Sequence, residues 1–201
     1  WGETQVELGG PKMDAKFELA LVKPLDQVED GKVTIIGPDI GGVPEKTTLP
    51  LGIIIEAAGQ KLDKDIEGVI ERRIHMHSNF VEGLMHLNQR YDIHLRLRSK
   101  SFKKGLNSFH ILAKILQRLY KTELPIVEKI QFTFITDHDK VKETMSKAME
   151  IYETRDARAR GLKDEDVKEF YGCALCQSFA PSHDCVITPQ RFANCGAMSW
   201  F

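Results

Sequence analysis

Leu51-Gly-Ile-Ile-Ile55 is a strand almost without a polar position. An apolar run of this kind belongs to a strand buried on both faces, inside a sheet that other elements cover. Before it come Val6-Glu-Leu8, Lys16-Phe-Glu-Leu-Ala-Leu-Val22 and the β-branched run Lys32-Val-Thr-Ile-Ile36. The last is bounded by Asp30-Gly31 and by Gly37-Pro38-Asp39. After it, the spacing predicts one long helix over residues 63–89, because Ile66, Val69, Ile70, Ile74, Phe80, Val81, Leu84 and Leu87 recur mostly at three and four residues. Asp63 and Asp65 stand at its start, where negative charge complements the helix dipole. Asp92-Ile-His-Leu-Arg-Leu-Arg98 alternates as a strand with Ile93, Leu95 and Leu97 inward. A helix over 107–121 carries Phe109, Leu112, Ile115, Leu116 and Leu119, and Pro125 separates it from the strand Lys129-Ile-Gln-Phe-Thr-Phe-Ile135. A third helix over 138–153 places Val141, Met145, Ala148, Met149 and Tyr152 on one side.

This order predicts an α/β fold, a mixed sheet with flanking helices over residues 1–153. Residues 154–163 are charged and weakly apolar, as in a connecting helix or linker, and 164–170 feed a short helix into a cysteine-rich segment. Residues 154–201 are then a second, smaller domain.

The 201 residues, 42% of them hydrophobic, suffice for one good core and a small second lobe. A net charge of −1 gives no bulk attraction to nucleic acid or anionic membranes. No run approaches the roughly 18 apolar residues that span a bilayer, and no signal-peptide pattern is present. Clustered free thiols without a targeting segment place the chain in a reducing cytoplasm.

Gly37-Pro38-Asp39-Ile40-Gly41-Gly42 follows a strand but fits neither G-x-G-x-x-G nor the Walker pattern, and reads as a plain turn. Arg72, Arg73, Arg90, Arg96 and Arg98 gather around the long helix and the next strand, with Lys100, Lys103 and Lys104 just after. Guanidinium forks suit phosphate groups; the competing reading is a solvated charged face. His75, His77, His86 and His94 are close in sequence, but they fall on different sides or different elements, which makes them satisfied or exposed histidines rather than a metal site.

All four cysteines, Cys173, Cys176, Cys185 and Cys195, lie in the stretch 171–196, spaced C-x2-C-x8-C-x9-C. A C-x-x-C pair wraps one tight turn, so both sulfurs reach one centre while turn N–H groups orient them. Gly172 and Gly196 flank the first and last cysteines, where backbone must pass close to a bulky inorganic group. Phe170, Tyr171, Phe179, Phe192, Trp200 and Phe201 surround them in sequence, as an apolar shell or as ordinary core. Three readings stay open on spacing: an iron–sulfur cluster, which tolerates uneven spacing; a four-thiolate zinc staple, more often built from two C-x-x-C arms; and disulfides, typical of small secreted domains. His183, between two of the cysteines, is a loop residue or a proton carrier.

The stretch Y-G-C-A-L-C-Q-S-F-A-P-S-H-D-C-V-I-T-P-Q-R-F-A-N-C-G-A-M-S-W-F closely resembles the A-cluster segment of acetyl-CoA synthase, the partner of carbon monoxide dehydrogenase. Upstream, V-E-L-G-G-P-K, E-D-G-K-V-T-I-I-G-P-D, M-H-L-N-Q-R-Y-D, K-T-E-L-P and D-E-D-V-K-E-F-Y-G-C look like that family's middle domain and its exit, so the resemblance runs from about Val6 to Phe201. It implies a [4Fe-4S] cubane held by Cys173, Cys176, Cys185 and Cys195, with Cys176 also bridging to a nickel and so catalytic. There a methyl group from a corrinoid iron–sulfur protein is joined to CO from the dehydrogenase subunit and leaves on the thiol of coenzyme A. It also implies CoA contacts at Arg72, Arg90 and Arg96. The family's downstream Cys-Gly-Cys, which completes the nickel sites, is absent from these residues. The expectation is therefore a fragment that holds at most the cubane and is inactive alone as a synthase. The alternatives are a non-catalytic [4Fe-4S] electron-transfer or structural module, and a zinc-stapled interaction domain.

Overall fold

The structure, a computed structural model, describes residues 3–86, 93–161, 163–166, 171–173 and 185–187. The chain divides into two compact units, Trp1–Met149 and Glu150–Phe201.

The apolar run at 51–55 grows into strand β5 (Leu51–Ala58), whose Leu51, Ile53, Ile55, Ala57 and Ala58 are wholly buried. It is an inner strand of a four-stranded mixed sheet ordered β2 (Lys16–Val22), β5, β8 (Lys129–Ile135), β3 (Val33–Ile36). β2 runs parallel to β5, β8 antiparallel to β5, and β3 parallel to β8.

A second mixed sheet, absent from the sequence expectation of one sheet, is ordered β4 (Thr47–Leu49), β1 (Thr4–Gly9), β7 (His94–Arg98), β6 (Leu84–His86). The chain crosses between the two sheets repeatedly, so within these sheets only β6 and β7 are both consecutive in sequence and paired. Period-two patterning reports that a segment is extended and half-buried, not which partner it joins.

The long helix is shorter than its apolar spacing predicts. A 3-10 turn (Lys64–Ile66), capped by the Asp63 carboxylate accepting from the Asp65 N–H, leads into α1 (Glu67–Asn79). The helix then stops: Phe80 is 59% exposed, and Gly83 turns at φ 78°. Leu84 enters β6 opposite Leu97 of β7. A left-handed glycine followed by a strand breaks the 3.6-residue period that Leu84 would otherwise continue; Leu87 lies outside the described residues.

α1 packs against β2, β6 and α3 (Phe109–Glu123). Its first turns also protect the open edge of β2. The Glu71 carboxylate accepts the Ala20 N–H at 3.1 Å, and Glu67 accepts the Val22 N–H at 2.9 Å. Residues four apart share one helix face, so this face supplies acceptors to outward N–H groups that would otherwise template another strand.

Under the sheet, Phe109 of α3 stacks on Phe134 of β8 with centroids 4.5 Å apart, and Tyr120 lies 6.2 Å from Phe132. Burying each such ring contributes about 1.5–3 kcal/mol. Tyr120 also donates its hydroxyl to the Ile70 carbonyl at 2.6 Å, tying α3 to α1. Burial, reinforced by the nearby Glu71 charge, holds the Tyr120 hydroxyl well above its usual pKa, so it remains the donor.

The glycine-rich turn is a bend followed by a 3-10 turn at Ile40–Gly42. Asp39 Oδ1 accepts from the Ile40 N–H at 2.7 Å and from the Phe109 N–H at 2.8 Å. A carboxylate thus already occupies the start of α3, the place where a phosphate would sit.

α2 (Ser99–Lys103) follows β7 directly, and α4 (His138–Gly161) runs eight residues past the 138–153 expected, through the stretch read as a linker or helix. No helix among the described residues is long and apolar enough to cross a membrane.

Candidate metal centre

The unit 150–201 contains a two-stranded antiparallel ribbon, β9 (Tyr171–Cys173) with β10 (Cys185–Ile187). Its register pairs Cys173 with Cys185, Gly172 with Val186 and Tyr171 with Ile187. Directly opposed residues of an antiparallel ladder have Cα atoms about 4.5–5.5 Å apart. The ribbon therefore brings together two cysteines that are twelve positions apart in sequence. Neither strand was expected from the sequence, which read a tight turn at the C-x-x-C pair, and nothing local in the two triplets specifies the register.

Cys176 and Cys195 lie outside the described residues, as do His183, Arg90 and the aromatic residues 170, 179, 192, 200 and 201. Of the helix expected over 164–170, the structure describes a 3-10 turn at Asp164–Asp166. Four thiols on one short segment, two of them register partners, are a soft donor set fitted to a thiophilic metal or cluster.

The basic residues of the first unit divide between interior and surface. Arg72 is nine-tenths buried, with Nη1 3.9 Å from Glu18 Oε1; His75 Nε2 lies 2.7 Å from the same oxygen. These charges belong to a paired cluster under α1, where mutual attraction offsets desolvation. Arg96 is one-third exposed and places Nη2 2.7 Å from Glu7 Oε1. Arg96 and Arg98 occupy alternate positions of β7 and so share a face.

Beyond β7, Arg98, Ser99, Lys100 and Lys103, with Glu3, line a cleft of about 510 Å³. Three cationic residues meet one carboxylate there. Sequence reasoning placed these lysines in the basic group but had no means of seeing the cavity, because α2 was not expected.

The histidines were expected to be satisfied or exposed, and His77 departs from that, being buried with neither ring nitrogen hydrogen-bonded. His75 is partnered by Glu18, and His94 Nε2 stands 3.9 Å from Glu7 Oε2. His77 is fully buried, its ring edge-on to Tyr120 at 4.4 Å. The side chain of His86 lies outside the described residues. Among the described residues no group of three or more His, Cys, Asp or Glu is arranged to hold a metal.

The fold and the cysteine-bearing ribbon agree with one known family. Residues 2–141 match the family model described as CO dehydrogenase/acetyl-CoA synthase complex beta subunit, and residues 152–201 match the C-terminal model of the ACS/CODH beta subunit. The chain belongs to the CO dehydrogenase/acetyl-CoA synthase complex beta subunit family.

It is 50% identical over 196 residues to acetyl-CoA decarbonylase/synthase complex subunit beta 2 of Methanosarcina thermophila, covering 98% of this chain and 41% of that protein. It is 51% identical over 201 residues to the beta subunit of Archaeoglobus fulgidus, covering 100% of this chain and 38% of that one. The beta 2 subunit of Methanocaldococcus jannaschii is 51% identical over 195 residues, 97% of this chain and 40% of its own length. The chain thus spans about two-fifths of the length of these curated relatives.

Proposed function

We propose that this chain supplies the cluster ligands of a CO-methylating acetyl-CoA synthase, working in a complex with a carbon monoxide dehydrogenase subunit and a corrinoid iron–sulfur protein. Cys173, Cys176, Cys185 and Cys195 would hold a [4Fe-4S] cubane, and Cys176 would also serve nickel. The observation that carries this reading is the Cys173–Cys185 register in a chain of this family. When bound, the nickel–cluster centre supplies the chemistry that joins CO to a methyl group and releases the product to the thiol of CoA. The part of this chain is to supply four soft donors, because thiolates suit electron-rich nickel and tune the cluster. Protein groups supply orientation and exclusion of water.

For CoA, Arg72, Arg90 and Arg96 are the residues expected from sequence. The burial of Arg72 against Glu18 makes it a structural cation, so the reading is carried at the surface by Arg96 and by the adjoining cleft of Arg98, Lys100 and Lys103. Its volume admits a phosphate-bearing portion of the coenzyme, and its cations offer charge-assisted hydrogen bonds to phosphate oxygens.

The test uses the full-length protein, reconstituted anaerobically with iron and sulfide. Cys173→Ser and Cys185→Ser should each lower bound iron and bleach the visible band, while a Lys100→Glu/Lys103→Glu pair should keep the iron and weaken CoA binding. Undiminished iron in both cysteine variants would refute the ligand assignment. Unchanged CoA affinity in the lysine pair would refute the cleft.

A further inference from the structure

The ribbon register has a second chemical consequence. In an antiparallel ladder, opposed residues place their Cα atoms about 4.5–5.5 Å apart, inside the roughly 4.4–6.8 Å range that a disulfide requires. Cys173 and Cys185 occupy such a pair of positions, and the ladder continues through Gly172–Val186 and Tyr171–Ile187. The register therefore sets the two Cα atoms at a separation a disulfide can span. In sequence, Cys176 falls between the two strands and Cys195 after the second.

We propose that, in the metal-free protein, Cys173 and Cys185 form a cross-strand disulfide that locks the centre against loading until it is reduced. The metal-ligand role of these cysteines is taken from the function proposed above; the choice of pair rests on the register alone.

The oxidant is a small-molecule disulfide of the glutathione class. One cysteine thiolate attacks a sulfur of the reagent, breaking its S–S bond, forming a mixed disulfide and releasing one thiol. The thiolate of the second cysteine then attacks the protein sulfur of that mixed disulfide and releases the second thiol. Two protein thiols are oxidised by two electrons, the reagent is reduced to two thiols, and the two protons leave with them. Metal binding needs the thiolate form, so the bond removes two of four donors at once. A reductant reverses it by the same exchange.

The measurement is disulfide mapping on the full-length protein, stripped of metal, reduced, then exposed anaerobically to oxidised glutathione and alkylated. Trypsin leaves Cys173, Cys176 and Cys185 on one peptide, since no Lys or Arg falls between Glu169 and Gln190. Chymotrypsin, cutting after Leu175 and Phe179, separates all three. The expected product is a Cys173–Cys185 cross-link that forms also in Cys176→Ser, is lost in Cys185→Ser, blocks iron uptake, and restores uptake on reduction. A dominant link from Cys173 to Cys176 or Cys195, or glutathione adducts without a link, would overturn the pairing while leaving the ligand role intact. The same treatment of the iron-loaded protein separates the two claims: protection is expected, and a cross-link formed equally fast there would overturn the lock together with the ligand role.

Discussion

His77 offers a quantitative test of the interior. It sits on the inner face of α1, fully buried, and neither ring nitrogen has a hydrogen-bond partner. Burial, with the nearby Arg73 charge adding to it, lowers its pKa from 6.5 to about 4. Between those values the unfolded chain binds a proton that the native state excludes, so stability rises with pH there and falls as the solution is acidified from about pH 6.5 to 4. Each tenfold change in proton affinity is worth about 1.36 kcal/mol, so the loss from this group between pH 7 and pH 5 is about 2 kcal/mol. His77→Phe keeps a ring against Tyr120 and removes the titration. Its stability at pH 7 absorbs any repacking penalty of about 1–3 kcal/mol, but its decline on going to pH 5 should be smaller than that of the unsubstituted protein by about 2 kcal/mol. Equilibrium urea unfolding at the two pH values reads the difference, and carboxylates common to both proteins cancel. Equal declines in the two proteins would refute the reasoning.

Three further outcomes follow from the same packing. Tyr120→Phe removes one hydroxyl donor from the Ile70 carbonyl and should cost about 0.5–1.5 kcal/mol, read as a lower urea midpoint at an unchanged slope. Gly83→Ala forces an L side chain to a φ of 78° and should cost about 1–2 kcal/mol, whereas Gly42→Ala, with open space around it, should leave stability nearly unchanged. The hydrogen bond to Asp14, with Asp139 adding to it, raises the pKa of exposed His138, so its contribution is complete below 6.5 and disappears as pH rises through the raised value. In an NMR titration the His138 pKa should lie above 6.5 and fall in Asp14→Asn.

The sequence carried elements more faithfully than their partners. Leu51–Ile55, Lys129–Ile135 and the helix at 109–123 were legible because their apolar spacing is set by the local period and by burial on the same segment. The second sheet was not, because Thr47–Leu49 is too short to show a period and pairing is decided by residues far along the chain. Phe80 and Leu84 continued the helical pattern by coincidence, while the chain turns at Gly83 with a positive φ where a side chain would collide with Ser101. At the site, the clustering of the four cysteines pointed to a shared centre, while their type and spacing left iron–sulfur, zinc and disulfides open. The Cys173–Cys185 register is a tertiary fact, and so is the cleft beside Arg98. Arg72 shows the opposite limit: an arginine on a helix looks the same in sequence whether it meets solvent or, as here, the Glu18 carboxylate in the interior.

The central claim is that the cysteine segment holds a cubane. It is tested most directly by purifying the protein anaerobically and measuring iron, nickel and zinc alongside the visible spectrum of the same sample. The account predicts about four irons per chain with a broad brown absorption, as four thiolates on a [4Fe-4S] cluster give. A colourless protein with zinc and no iron would contradict it and make the four cysteines a structural staple.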